Sequence, residues 1–337
     1  MSVDCQFCGT SVILPESGAI VLSNKTKEST FHLPVHHEDE NAIIHNYDSH
    51  SQLLDSLHSL LQNNNSNQWV HVINKESRQS FPISIDHLYE RLKQPELTSI
   101  IHNGDFTSHL QPIVDISNND IYGYESLLRT KEREVNPGEL FSLAHRTGLH
   151  SMLDQKARRS AVQAKSKLIP TGQKIFINFL PSTIYVPEYC LKHTFQIVEE
   201  FNIDPADLVF EVVETEKITD VNHLKSIFDT YKSSGMKVAL DDVGTGYSTL
   251  EMLSLLQPDF VKIDRSYIQN CHRISSHQDF LHEVMARADQ FNIKVLAEGI
   301  ETKEEWEWLQ SIGVHYGQGY YLGRPQETPK KEIILPS

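Results

Sequence analysis

Short apolar runs alternate with longer amphipathic stretches over the last two-thirds of the chain, and this alternation constrains the fold more than any other feature. The runs fall at 175–179, 208–213, 237–240, 260–263 and 294–297, with a further stretch ending at Tyr321. Each is bounded by polar residues or glycine, the pattern of a strand buried on both faces. Between them, 220–234 carries Val221, Leu224, Ile227, Phe228 and Tyr231 at helical spacing and stops at Gly235. Thr302 opens another helix, with Glu305 as its capping-box partner and Trp306, Leu309 and Ile312 behind. Repeated strand–helix alternation predicts a mostly parallel sheet. About eight units fit between residues 105 and 325, close to the ~250 residues of a (β/α)8 TIM-like barrel. A doubly wound open sheet is the alternative.

The ends of these runs are polar in an unusual way. Glu125, Asn178, Glu211, the pair Asp241 and Asp242, and Glu298 occupy matching points, with Lys262 as the one cation among them. Like charges repel in a partly desolvated site, so such a set calls for cations to neutralise it. Hard divalent ions take oxygen ligands, and carboxylates with one amide are the right donors. In a barrel, catalytic groups project from the C-terminal ends of several strands. Glu211 lies inside its run, so its strand must point it inward. Lys262 reads either as a catalytic cation or as a salt-bridge partner of Asp241 or Asp242. In 241–248, Gly244 and Gly246 allow a tight loop after the two acids.

Composition narrows the class further. A chain of 337 residues suggests about two domains. Its formal charge of −15 argues against a polymeric nucleic-acid surface, although metal ions would still admit a small phosphate ligand. No apolar run approaches the ~20 residues of a membrane span, and no signal-peptide pattern opens the chain. Cys190 and Cys271 are isolated, so the four cysteines make no disulfide framework, and a reduced, cytoplasmic setting is expected.

Eight motifs now stand in order: Gln111-Pro-Ile, Glu125-Ser-Leu-Leu-Arg129, Ile177-Asn178-Phe179, Glu211-Val-Val-Glu214, Asp241-Asp-Val-Gly-Thr-Gly246, Lys262-Ile-Asp264, Ala297-Glu-Gly-Ile-Glu301 and Gln318-Gly-Tyr-Tyr-Leu-Gly-Arg-Pro325. Together they resemble the EAL-domain family of cyclic di-GMP phosphodiesterases, over about residues 105 to 328. The resemblance implies a modified (β/α)8 barrel that hydrolyses one phosphodiester bond of cyclic di-GMP to linear pGpG with Mg²⁺ or Mn²⁺, usually as a pair. It implies that Glu125, Asn178, Glu211 and Asp241 hold the first metal. Asp241 would bridge to the second, joined by Asp242, with Glu298 close by or acting through water. It gives Lys262 the attacking water, with general-base character, and Arg129 a substrate phosphate. Gln111 would touch the ligand from the first strand, and Glu301 and Gln318 would shape the site. Glu214 would brace the 241–248 loop, which the family couples to homodimerisation. Ser126 stands where the family has alanine, Val213 where it has threonine and Val243 where it has phenylalanine; none of these removes a ligand. The alternatives are a non-catalytic cyclic di-GMP receptor and a protein-interaction domain. Degenerate relatives of those kinds usually lose metal ligands or the lysine, and this chain keeps them. No diguanylate cyclase domain is recognisable.

The first hundred residues differ. They hold 8 of the 18 histidines and an asparagine-rich tract at 62–68 that reads as a surface loop. A short helix is expected at 53–61, strands at 69–73 and 81–85, and a helix at 85–92. This makes a small α+β domain, 1–100, regulatory or interacting with an unknown protein, followed by a linker at 95–105 and the barrel domain 101–337. Cys5-x-x-Cys8 before Gly9 resembles one zinc knuckle, which His32, His36 and His37 could complete. Ordinary oxidisable thiols or a redox dithiol are the other readings.

Overall fold

A computed structural model describes residues 12–23, 31–38, 40–62, 68–212, 220–244, 250–333 and 335. Cys5, Cys8, Val213, Glu214 and Gly246 lie outside the described residues, as does most of the 62–68 tract. The described residues form two compact units, one running to Asp105 and including Lys131–Leu153, the other made of Phe106–Thr130 and the chain from Asp154 onward.

The first unit holds an antiparallel sheet of β1 (Gly18–Ser23), β2 (Val35–Glu38), β3 (Ala42–Tyr47), β4 (Trp69–Asn74) and β5 (Ser80–Ser84), in the order β2-β3-β1-β4-β5. Period-two alternation buries Val70, Val72, Phe81 and Ile83, and these pack with Leu53, Leu57 and Leu60 of the helix His50–Gln62 and Leu88 of the helix Ile85–Lys93. Ser84 ends β5 and caps that second helix, its Oγ accepting from the His87 backbone N at 3.3 Å. The expected helices and strands at 53–61, 69–73, 81–85 and 85–92 are all present. The stretch expected as a linker is instead the helix Pro95–Asn103. Proline at the first helical position costs no hydrogen bond and starts a helix rather than breaking one. The strands β1 to β3 were not expected: β2 is exposed at every position and β3 is half-buried along most of its length, which hides their alternation, while β1 is a short apolar run with Ala19, Ile20 and Leu22 buried.

The second unit is a closed barrel of β6 (Phe106–Asp115), β7 (Ile121–Thr130), β8 (Lys174–Phe179), β9 (Leu208–Val212), β10 (Lys237–Val243), β11 (Phe260–Ile263), β12 (Lys294–Ala297) and β13 (Tyr316–Gly317). Neighbouring strands pair in parallel from β7 to β13, while β6 runs antiparallel to both β7 and β13. A short turn joins β6 to β7, which only an antiparallel pair allows. The last strand is two residues long and does not reach Tyr321. Beyond it the chain packs too closely for a regular edge: a Cβ on Gly319 would lie 2.1 Å from the Ile300 carbonyl oxygen.

Each barrel strand is apolar on both faces, for two reasons. Outward residues such as Ile177, Val212, Leu240, Val261 and Val295 pack under the surrounding helices. Inward residues Ile113, Phe176, Val209, Ala239, Phe260, Leu296 and Tyr316 form a plug, with the Phe176 and Phe260 rings edge-to-face at 5.2 Å. Among the described residues, no helix is long and apolar enough to cross a membrane.

Candidate metal centre

The period of two that builds the plug also builds the site. Two residues beyond Phe176, Val209, Ala239, Phe260, Leu296 and Tyr316 stand Asn178, Glu211, Asp241, Lys262, Glu298 and Gln318. On the antiparallel strand the same step runs backward, from Ile113 to Gln111, which pairs in register with Glu125 on β7. Every strand therefore contributes a polar side chain to one layer, stacked on an apolar floor at the C-terminal mouth.

Lys262 is at the centre of that layer. Its Nζ lies 2.6 Å from Glu211 Oε2, 2.6 Å from Glu298 Oε1, 3.1 Å from Asp241 Oδ1 and 3.9 Å from Glu125 Oε1. Its side chain is 1 % exposed, so it is a desolvated ammonium among desolvated acids. Burial alone would lower its pKa, but Asp241, Glu125, Glu211 and Glu298 outweigh burial and hold it well above the usual lysine value. Burial pushes the Glu211 and Glu298 carboxyls well above the usual carboxylate range, and Asp241 upward too, against the pull of Lys262. One ammonium does not balance this set of acids.

Amides complete the layer. Asn178 Nδ2 donates to Glu125 Oε1 at 3.2 Å, and Gln318 Nε2 donates to Glu125 Oε2 at 2.6 Å. Both oxygens of Glu125 are thus oriented. Gln111 Nε2 donates to the Gly323 carbonyl at 3.2 Å.

Asp241 and Asp242 should point to opposite faces of a regular strand. They do not, because the β10–β11 register slips between Leu240 and Val243 and Asp242 turns left-handed at φ +52°. Its backbone N donates to Asp241 Oδ1 at 2.9 Å. One carboxylate oxygen each from Asp241, Asp242 and Glu298 then lies within 4.8 Å of the others. Gly244 follows at φ +109°, where a Cβ would strike Tyr267 at 2.6 Å and Phe280 at 2.8 Å.

The donor set fits divalent cations. It is all oxygen, it is acidic beyond what Lys262 neutralises, and Glu211 Oε1 is buried without a hydrogen-bond partner. Asp241, Asp242 and Glu298 form one group suited to an ion. Glu125 and Glu211 both approach Lys262, and Asn178 bonds to Glu125.

Two residues expected here are placed apart. Glu301 is partly exposed and pairs with Arg265, Nη2 to Oε1 at 2.6 Å. Arg129 shares the inward face of β7 with Glu125 but lies four residues nearer the rim, its Nη1 donating to the Leu128 carbonyl at 2.8 Å. Ser126, on the outer face, joins a buried hydroxyl chain to Ser108 at 2.9 Å and on to Ser160 at 3.1 Å, so its hydroxyl is satisfied. Sequence reasoning had passed over these two partners.

A parallel-type barrel with a layer of acids around one lysine at its C-terminal mouth defines the class, an α/β barrel built for divalent cations. The family model of the EAL domain matches residues 94–325. The probable cyclic di-GMP phosphodiesterase PdeB of Escherichia coli strain K12 is 30% identical over 254 residues, covering 73% of this chain and 48% of that protein. The cyclic di-GMP phosphodiesterase PdeF of the same organism is 28% identical over 235 residues, covering 68% of this chain and 31% of that one. A c-di-GMP-bound standalone EAL protein from Vibrio cholerae O395 matches with a TM-score of 0.63 and 36% identity, over 69% of this chain and 97% of that chain. Klebsiella pneumoniae BlrP1 in its manganese/cy-diGMP complex matches with a TM-score of 0.62 and 29% identity, over 66% of this chain and 57% of that chain. This chain belongs to the EAL domain family. It spans about half the length of PdeB and less of PdeF.

Proposed function

We propose that the barrel hydrolyses cyclic di-GMP to linear pGpG in a reaction that depends on Mg²⁺ or Mn²⁺. The observation that carries this reading is the buried Lys262 among Glu125, Glu211, Asp241 and Glu298, with Asp242 beside them. The named activity of the E. coli relatives and the cyclic dinucleotide in the V. cholerae and K. pneumoniae structures supply the substrate class.

Glu125, Asn178, Glu211, Asp241, Asp242 and Glu298 would hold the cations, which supply Lewis acidity at the phosphoryl oxygens and lower the pKa of the attacking water. Lys262 would contact the attacking water, orienting it by hydrogen bonding and acting with general-base character. Asn178 and Gln318 fix the Glu125 carboxylate, and Gln111 closes the layer beside them. Arg129 at the rim would take a substrate phosphate, since a planar guanidinium fork matches phosphate oxygens. Glu301 with Arg265 would border the nucleotide, and Glu214 would brace the loop after Asp242. The reading extends to a homodimer, and to a first unit that adjusts the rate, with Cys5 and Cys8 as candidate ligands for a structural zinc ion.

The test is turnover of cyclic di-GMP by the full chain with Mn²⁺ or Mg²⁺ and with EDTA. Metal-dependent appearance of pGpG is expected. Nucleotide binding without turnover under both metals would make the barrel a receptor instead. Light scattering reads the oligomer.

A further inference from the structure

Asp154 and Arg158 sit one turn apart on the helix His150–Leu168 and pair at 2.8 Å, with side chains 2% and 3% exposed. They make none of the hydrogen bonds of the carboxylate layer described above. Asp154 directs both of its oxygens at the exit of β8 instead. Oδ1 accepts from the Leu180 backbone N at 3.2 Å, and Oδ2 accepts from Thr183 Oγ1 at 3.1 Å. The Thr183 hydroxyl also lies 2.7 Å from the Leu180 carbonyl, so its one proton is shared between that oxygen and Asp154 at the turn Pro181–Thr183. Arg158 in turn donates to Thr194 Oγ1. A buried ion pair is a poor route to stability compared with apolar residues of similar size, so what it contributes here is geometry.

The geometry it sets is that of Asn178. The β7–β8 register ends at Ser126 and Ile177, one residue short of Asn178. Asn178 itself is in register with Glu211 of β9. Two residues on, Leu180 caps the turn that Asp154 holds. We infer that Asp154, backed by Arg158, is a positioning residue for the metal centre: it pins the β8 exit turn and so presents Asn178 to Glu125. The inference rests on the metal-dependent reading of the site.

Calorimetric titration of Mn²⁺ into the full chain without nucleotide tests it, with thermal unfolding measured alongside. Asp154→Asn should weaken Mn²⁺ binding about 10- to 100-fold, the usual effect of removing a group that orients a ligand. Thr183→Val should weaken it less, and Thr183→Ser, which keeps the hydroxyl, should bind as the unsubstituted chain does. At saturating Mn²⁺ the KM for the nucleotide should not move. A merely structural role would lower the unfolding temperature and leave Mn²⁺ binding alone; that result in a folded variant overturns the inference. Should Asp154→Asn not fold, the two Thr183 variants decide alone, and equal Mn²⁺ affinity in both overturns it. Turnover by the unsubstituted chain is read separately. Its absence would sink the hydrolase reading while the Mn²⁺ comparison still stood.

Discussion

In the N-terminal sheet, His36, His37 and His71 lie on exposed faces, whereas in the barrel Glu211 and Lys262 are closed off from water at 0% and 1% exposure. Both regions looked rich in chemistry as sequence. A polar side chain left in water costs little, so its presence says little. His45, the buried exception in the first unit, bonds to the Leu33 carbonyl at 2.9 Å and is accounted for by the fold. The barrel acids have no such account. Holding several carboxylates in a closed interior is unfavourable unless something pairs with them, and a single ammonium is not enough. Burial, rather than abundance, separates the informative polar residues from the rest.

That contrast can be attacked at several points, beginning where the effect is largest. Lys262→Met removes the one cation of the carboxylate layer and should cost about 3–5 kcal/mol of stability in metal-free protein, with part of the loss recovered on adding Mn²⁺. Denaturant unfolding with and without Mn²⁺ measures this, and no loss would mean the acids were never charged together. Next, Glu125→Ala and Asp241→Ala should each reduce Mn²⁺-dependent turnover at least ~100-fold with the fold retained by circular dichroism. Unchanged turnover in either variant would remove that residue from the centre.

A pH series separates the two units by sign. Burial raises Glu211, Asp241 and Glu298, so the folded barrel keeps protons that the unfolded chain releases above about pH 4. Metal-free barrel stability therefore falls as pH rises through the folded values. His87 behaves in the opposite way. Burial first, then Arg91, His150 and His145, lower its pKa against the pull of Asp86. The unfolded chain then gains a proton as pH falls through about 6.5 while the folded unit resists, so acid weakens the first unit. Hydrogen exchange on lowering the pH from neutrality should show protection rising in β9 to β11 and falling in the helix Ile85–Lys93. Movement in the same direction in both would break the comparison.

The smallest effect concerns the surface. His71→Ala should change stability by no more than ~0.5 kcal/mol and leave turnover alone. Metal analysis of the dialysed full chain belongs with it. Stoichiometric zinc lost on replacing Cys5 and Cys8 would show that one part of the histidine-rich region does hold an ion, and would narrow the contrast to the sheet.

Much of the barrel was legible. The runs at 260–263 and 294–297 are β11 and β12 with the same bounds, and Thr302 with Glu305 forms the capping box it spells. Strands buried on both faces write their length into the sequence, and a cap writes its chemistry. The open sheet was less legible: β2, exposed throughout, shows no alternation. The helix at Pro95 was hidden because one residue type serves both to break helices and to begin them.

Residue type and spacing alone determined that strands and helices would alternate with acids at the strand ends, because period two and period 3.6 are local properties of the backbone. Three things waited for the tertiary structure. The reversal of β6, the left-handed turn that swings Asp242 to the same side as Asp241, and the reach of Asp154 to the turn after Asn178 all join residues through space. Each depends on which strand lies beside which and in what register, and that is settled only when the whole barrel closes.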